Sequence, residues 1–313
     1  MPLDPMVKAF LDRAAQIPRP KSWDVPAAVA RQSFSGLMQL TGPKDVAVGK
    51  VENFTIPAPG GPIRARSYAP VAAVGPLPSL IYFHGGGFVV GSLESHDGLC
   101  RLFSAEGGFK VIAVDYRLAP EHPWPAAVDD AWAATQWIEE NAASLGVDAG
   151  RVAVGGDSAG GMLAAIVTQL ARDKGGLKIA YQLLLFPNTQ MGGETSSMSE
   201  FAVGYFLERR AIEYFMSLYL PSGTDRNSPK VSPLCAKNFS GLPPAYVMLG
   251  GYDPLHDEGL AYADKLRAAG GKVTIADYAD MVHGFIYLQT VLPQAREAVA
   301  EAAKAVKKAL EAA

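Results

Sequence analysis

Apolar runs of strand length recur along the chain: VENFTI from Val51, IRARSY from Ile63, SLIYF from Ser79, KVIAVD from Lys110, RVAVG from Arg151, IAYQLLLF from Ile179, PAYVML from Pro244 and KVTIADY from Lys272. The first two alternate in character and are joined by the turn-rich PAPGGP, which predicts an antiparallel hairpin. The later runs are almost continuously apolar, as strands covered on both faces are. Between them lie helical patterns, around 97–106, 126–143, 159–172 and 258–269, and an Ala-, Glu- and Lys-rich amphipathic stretch closes the chain from Pro293. This βα alternation predicts the α/β class, with the hairpin leading into a parallel sheet.

Two segments leave that rhythm. The first 50 or so residues are mainly helical and punctuated by proline, and a piece from about Asn188 to Ser240 carries the helical LERRAIEYFMSLYL between loops rich in Gly, Ser and Pro. Connections longer than about 12–15 residues are usually lids or binding elements. Residues 1–50 and 188–240 are therefore expected to form a two-part cap over a core made of 51–187 and 241–313.

The 313 residues are 49% hydrophobic with a formal net charge of -3, enough apolar material for a large core and no basic footprint for nucleic acid. The N-terminus lacks the basic and apolar regions of a secretory signal, and no apolar run approaches the ~18 residues of a membrane span. A cytoplasmic protein without stable membrane anchoring is expected. Cys100 and Cys235 have no metal or redox spacing and are expected as free thiols, and the sequons at Asn53 and Asn238 are short enough to arise by chance.

Candidate chemistry begins after the strand RVAVG, where Gly156-Asp157-Ser158-Ala159-Gly160 satisfies G-x-S-x-G in the strand–turn–helix context that the pattern needs. A serine on so sharp a turn is strained and exposed, and the flanking glycines let strand and helix pass without Cβ clashes. A base is sought downstream, because the chain order on this kind of scaffold is Ser, Asp or Glu, then His. Of the five histidines, His84, His96 and His122 precede Ser158. His283 in ADMVHGF sits in a loop just after the strand KVTIADY, whereas His256 lies three residues from the best acid. That acid is Asp253, at the end of VMLGGYD; Asp257 and Glu258 are alternatives better suited to opening the next helix, and Asp277 and Asp280 crowd His283. Ser158, His283 and Asp253 would then act as nucleophile, base and orienting acid.

HGGG, from His84, ends the strand SLIYF with backbone N–H groups that no side chain obstructs. Gly85, Gly86 and Gly87, with the N–H of Ala159, are candidates to stabilise an oxyanion. The run fits no nucleotide-binding glycine pattern. Asp115, Arg117 and Glu121 in DYRLAPEHPWPAA are expected to form a buried ion-pair network. Phe201, Tyr205, Phe206 and Phe215 are expected either to line an acyl pocket or to pack inside the cap.

Together HGGGFVVGS (His84–Ser92), DYRLAPEHPWPAA (Asp115–Ala127), GDSAGG (Gly156–Gly161), DPLHDEG (Asp253–Gly259) and HGF (His283–Phe285) closely resemble the hormone-sensitive-lipase-like carboxylesterases of the α/β-hydrolase superfamily, in the GDSAG-type subgroup. The resemblance implies the α/β-hydrolase fold, with an eight-stranded, mostly parallel sheet flanked by helices and a helical cap. It implies a serine esterase acting on short- to medium-chain carboxylic esters through an acyl-enzyme, with a triad on Ser158, Asp253 and His283 and an oxyanion hole at Gly85, Gly86, Gly87 and Ala159. No metal or organic cofactor is implied. The expected partner is a small-molecule ester, and a homodimer is left open.

Overall fold

The computed structural model describes residues 1–18 and 20–313. In chain order the elements are α1 (Pro5–Ala15), α2 (Ala27–Thr41), β1 (Lys50–Ile56), β2 (Ile63–Ala69), β3 (Leu77–Phe83), α3 (Leu93–Gly107), β4 (Lys110–Asp115), α4 (Ala126–Glu140), β5 (Val147–Asp157), α5 (Ala159–Lys174), β6 (Tyr181–Leu185), α6 (Ser196–Glu200), α7 (Arg209–Tyr219), β7 (Ala245–Tyr252), α8 (His256–Ala268), β8 (Val273–Val282) and α9 (Pro293–Glu311). The strands form one sheet in the order β1-β2-β4-β3-β5-β6-β7-β8. β1 and β2 are the antiparallel hairpin, β2 also runs antiparallel to β4, and every other neighbouring pair is parallel.

The period-2 alternation of a strand sorts the central residues onto two covered faces. Tyr82, Ala153, Leu183 and Met248 pack with α3 and α9, whereas Phe83, Val154, Leu184 and Val247 pack with α4, α5 and α8. Each buried aliphatic or aromatic side chain stabilises the fold by about 1.5–3 kcal/mol over its exposed state. That explains why the middle strands read as unbroken apolar runs. Local signals set the helix ends: Ser92 and Ser95 form a reciprocal capping box at the start of α3, and Gly108, at φ 67°, closes it in the left-handed region.

Several strands differ from the hydrophobic pattern in length: β5 starts at Val147, ahead of RVAVG, and β7 runs past PAYVML to Tyr252. β6 ends at Leu185 because Phe186, at φ 36°, leaves the extended region. β8 runs beyond KVTIADY to Val282, because Gly251 allows a close approach; a Cβ there would stand 2.3 Å from Ala279 O. His283 is thereby delivered straight from a strand end.

The N-terminal segment and the 188–240 insert meet above the carboxyl ends of β3 and β5. Lys21 pairs with Glu208 at 2.7 Å, and Tyr214 Oη donates to Val25 O at 3.2 Å. The Arg210 guanidinium lies 5.2 Å from the Trp23 ring centroid. Among the described residues no helix is long and apolar enough to cross a membrane.

The DYRLAPEHPWPAA loop corrects one expectation. Asp115, Arg117 and Glu121 do not pair with one another and are not fully buried; Asp115 binds Arg64 at 2.9 Å and Glu121 binds Arg31 at 2.5 Å. Arg117 grips Asp130 of α4 at 2.7 Å, and that carboxylate, 1% exposed, is the buried member. The partners lie on other elements, where sequence proximity gives no hint of them.

Candidate active site

Ser158 stands between the end of β5 and the first residue of α5 with φ 53° and ψ -117°, a backbone conformation that residues other than glycine rarely adopt. The turn is possible because strand and helix nearly touch: a Cβ on Gly160 would lie 1.9 Å from Phe83 O. Backbone bonds hold the strained residue, from Ser158 N to Leu185 O at 2.8 Å and from Asn188 N to Ser158 O at 3.2 Å. The N-terminus of α5, with its partial positive charge, opens at the same point.

The carboxyl ends of β7 and β8 bring up the other two residues. His283 Nε2 lies 3.1 Å from Ser158 Oγ, and His283 Nδ1 lies 2.7 Å from Asp253 Oδ2. The second carboxylate oxygen of Asp253, which is wholly buried, accepts the Leu255 N–H at 2.8 Å. The Phe186 ring meets the imidazole edge to face at 4.8 Å. Asp253 accepts the Nδ1 proton, which leaves Nε2 free to accept one from Ser158.

The HGGG loop faces this serine. Gly86 (φ 118°) and Gly87 (φ 59°) line the same cavity as Ser158, Ala159 and His283. Among the described residues no backbone acceptor takes the N–H of Gly86, Gly87 or Ala159. His84 Nδ1 lies 2.8 Å from Gly85 O, and a trans peptide sets its C=O and N–H in opposite directions, so this contact turns the Gly86 N–H away from the imidazole. Gly85 itself packs elsewhere: its Cβ would sit 2.1 Å from Asp157 Oδ2.

Residues 80–287 match the family described as alpha/beta hydrolase fold. The chain belongs to this family. Over 316 residues, 99% of this chain and 97% of the relative, it is 39% identical to the carboxylesterase NlhH of Mycobacterium tuberculosis. It is 44% identical to the esterase LipI of the same organism over 252 residues, 80% of this chain and 79% of that one. The solved ester-hydrolase EH1AB1 from the metagenome of Lake Arreo, complexed with a bipyridine phosphonate derivative, superposes with a TM-score of 0.95 at 44% identity, covering 98% of each chain. This protein is a carboxylesterase of the hormone-sensitive-lipase-like group.

Several polar residues of this carboxylesterase have roles that the sequence reading does not assign. Asp157, wholly buried one residue before Ser158, accepts Tyr82 Oη at 2.5 Å and also Tyr287 Oη, with His96 Nε2 3.5 Å away. Burial opposes its charge, but His96 and the two tyrosine hydroxyls outweigh it and hold the carboxyl below its ordinary range. It ties the nucleophile strand to β3, to α3 and to the turn after His283. The clue available was a polar residue ending an apolar strand.

Burial, aided by neighbouring His96, lowers His84 to about 4. Its ring is therefore neutral at neutral pH, and since Gly85 O can only accept, Nδ1 carries the proton. An unfolded histidine binds a proton near pH 6.5, so the unfolded chain is favoured progressively as pH falls from there to about 4, a loss of about 3 kcal/mol at full extent. Thermal melts of wild type and His84→Gln should diverge accordingly, with the wild-type Tm falling more steeply on acidification. Parallel slopes would show that His84 binds its proton equally in both states.

A cavity of about 320 Å³ opens beside Ser158. Trp23 and Phe34 line it from the N-terminal segment, and Phe206, Phe215 and Met216 from the insert. Phe215 presses on the bare face of Gly87, where a Cβ would come within 2.6 Å of its ring. Phe201 and Tyr205 instead meet edge to face and both pack at a tilt on Tyr252, each pair at 5.3 Å. His256 is bound by Asp257 and Asp277 at 3.1 and 3.3 Å, away from Ser158. Cys100 and Cys235 are free thiols.

Proposed function

We propose that this carboxylesterase hydrolyses esters of short to medium acyl chains through an acyl-enzyme on Ser158. His283 Nε2 takes the Oγ proton as Ser158 attacks the ester carbonyl, then returns it to the leaving alcohol as the tetrahedral intermediate collapses. Water, giving its proton to the same nitrogen, attacks the acyl-enzyme; the carboxylic acid leaves and Ser158 regains its proton. Asp253 keeps the imidazole in the required tautomer and offsets the positive charge it acquires. The N–H groups of Gly86, Gly87 and Ala159 face the oxyanion, where preorganised donors contribute several kcal/mol. Gly85 is left out of that set because it packs on Asp157.

The bonded chain from Ser158 through His283 to Asp253, at 3.1 and 2.7 Å, carries this reading. The chain-length preference is supported by an apolar cavity closed by aromatic side chains at about 320 Å³, near the lower end of small-ligand sites. Residues 1–50 and 188–240, which supply those side chains, are read as the two parts of a cap. A cytoplasmic location is supported by the two free thiols.

A series of p-nitrophenyl esters from acetate to palmitate tests the preference. Its kcat/KM is expected to peak between acetate and octanoate, and a maximum at palmitate would overturn the size argument. The matching p-nitroanilides are expected to turn over far more slowly.

A further inference from the structure

Glu258 lies in the first turn of α8 and is 1% exposed, and no step above uses it. One carboxyl oxygen, Oε1, accepts three N–H groups from the segment that follows β6. These are Asn188 Nδ2 at 2.8 Å, Thr189 N at 2.6 Å and Gln190 N at 3.1 Å. The Thr189 hydroxyl donates to the backbone oxygen of Glu258 at 2.7 Å, fastening the same segment to the helix a second time. The other carboxyl oxygen, Oε2, is buried with no hydrogen-bond partner among the described residues. Such an oxygen is expensive to bury, and unsatisfied polar groups in native interiors call for an explanation.

The segment held by Glu258 reaches the reacting centre. Asn188 lines the cavity next to Ser158, and its backbone N–H donates to Ser158 O at 3.2 Å. The helix that carries Glu258 also begins at the turn of Asp253, where His256 N donates to Asp253 O at 3.0 Å. Glu258 therefore joins the wall beside the serine to the support of the acid.

We propose that Glu258 is a positioning residue: from behind the cavity wall it holds the Asn188–Gln190 segment, and through Asn188 it holds Ser158 in its strained attacking conformation. This rests on the reading of Ser158 as the nucleophile. Burial raises the Glu258 carboxyl to about 8, despite the donors on Thr189, Gln190 and Asn188, and the charge of Asp253 pushes the same way. At neutral pH it is thus mostly protonated. Because Oε1 is filled by three donors, the proton resides on Oε2. A neutral carboxyl is matched in shape by a glutamine amide, whose oxygen can accept the same three N–H groups.

The test compares Glu258→Gln, Glu258→Ala, Asn188→Ala and the double alanine variant on one p-nitrophenyl ester, with thermal melts and fluorophosphonate labelling of each. Glu258→Ala is expected to lose roughly 10- to 100-fold in kcat with little change in KM, because displacing a nucleophile by about an ångström costs on that order. Glu258→Gln should recover most of that loss. The double variant should lose no more than the worse single one, as residues acting through one another do. If Glu258→Ala fails to fold, Glu258→Gln still decides, since a loss as large as that of Asn188→Ala in a folded protein would overturn the proposal. So would full activity in Glu258→Ala, a change confined to KM, or additive losses in the double variant. Wild-type labelling at Ser158 tests the nucleophile separately, and an unlabelled Ser158 would overturn both readings.

Discussion

Ser158→Ala is expected to lower kcat by about five orders of magnitude or more, leaving KM and the fold nearly unchanged, as removal of a triad serine does. The alanine keeps the backbone at φ 53°, so the strain of the turn remains. Ser158→Gly separates strain from chemistry. Glycine enters this region freely, relieving about 1–3 kcal/mol, while its greater freedom in the unfolded chain takes back about 0.4–1 kcal/mol. The glycine variant should be as inactive as the alanine one and about 1 kcal/mol more stable than it in urea unfolding. Turnover surviving in both variants would remove Ser158 as the nucleophile. Equal stabilities would show that the surroundings relax the turn.

Asp253→Asn is expected to cost about 10⁴-fold in kcat, again with little change in KM. The Leu255 N–H, 2.8 Å from Oδ1, decides how the new amide sits. It requires an acceptor, so the amide oxygen takes the Oδ1 place and the NH₂ takes the Oδ2 place facing His283. An NH₂ group there demands an unprotonated Nδ1, which moves the imidazole proton to Nε2. The base then faces Ser158 with a proton already on it. Steady-state kinetics of the purified variant check this, and a loss below tenfold would mean that another carboxyl orients the ring. The neighbouring acids are engaged elsewhere: Asp257 accepts from Ser197 N at 3.0 Å, and Glu258 holds the Asn188–Gln190 segment.

Ser158, Asp253 and His283 were legible because each lies a few residues past an apolar run, and parallel strands present their carboxyl ends at one edge. The order β5-β6-β7-β8, which the sequence does not state, then keeps all three on one stretch of that edge. The glycine run was harder to read. HGGG announces free N–H groups, yet which of them face the cavity depends on φ values of 118° at Gly86 and 59° at Gly87 and on the carboxylate against Gly85. Three identical residues cannot encode that difference. The partners of Asp157 were hidden for a related reason, since Tyr82 and Tyr287 come from elements far away in the chain. The cavity wall from Trp23 and Phe34 was the least visible part. An apolar position such as Phe34 on the amphipathic α2 looks the same in sequence whether it meets a core or an empty pocket.

The Lys21–Glu208 contact joins residues far apart in the chain, and neither belongs to the sheet. The reacting groups, by contrast, are fixed by strand ends and by buried bonds beneath them. Mutation can therefore reshape the entrance and its walls without disturbing the machinery below. Libraries confined to the Trp23 and Met216 neighbourhoods should yield folded, active enzymes with altered substrate range, so that one scaffold supports a broad family of catalysts.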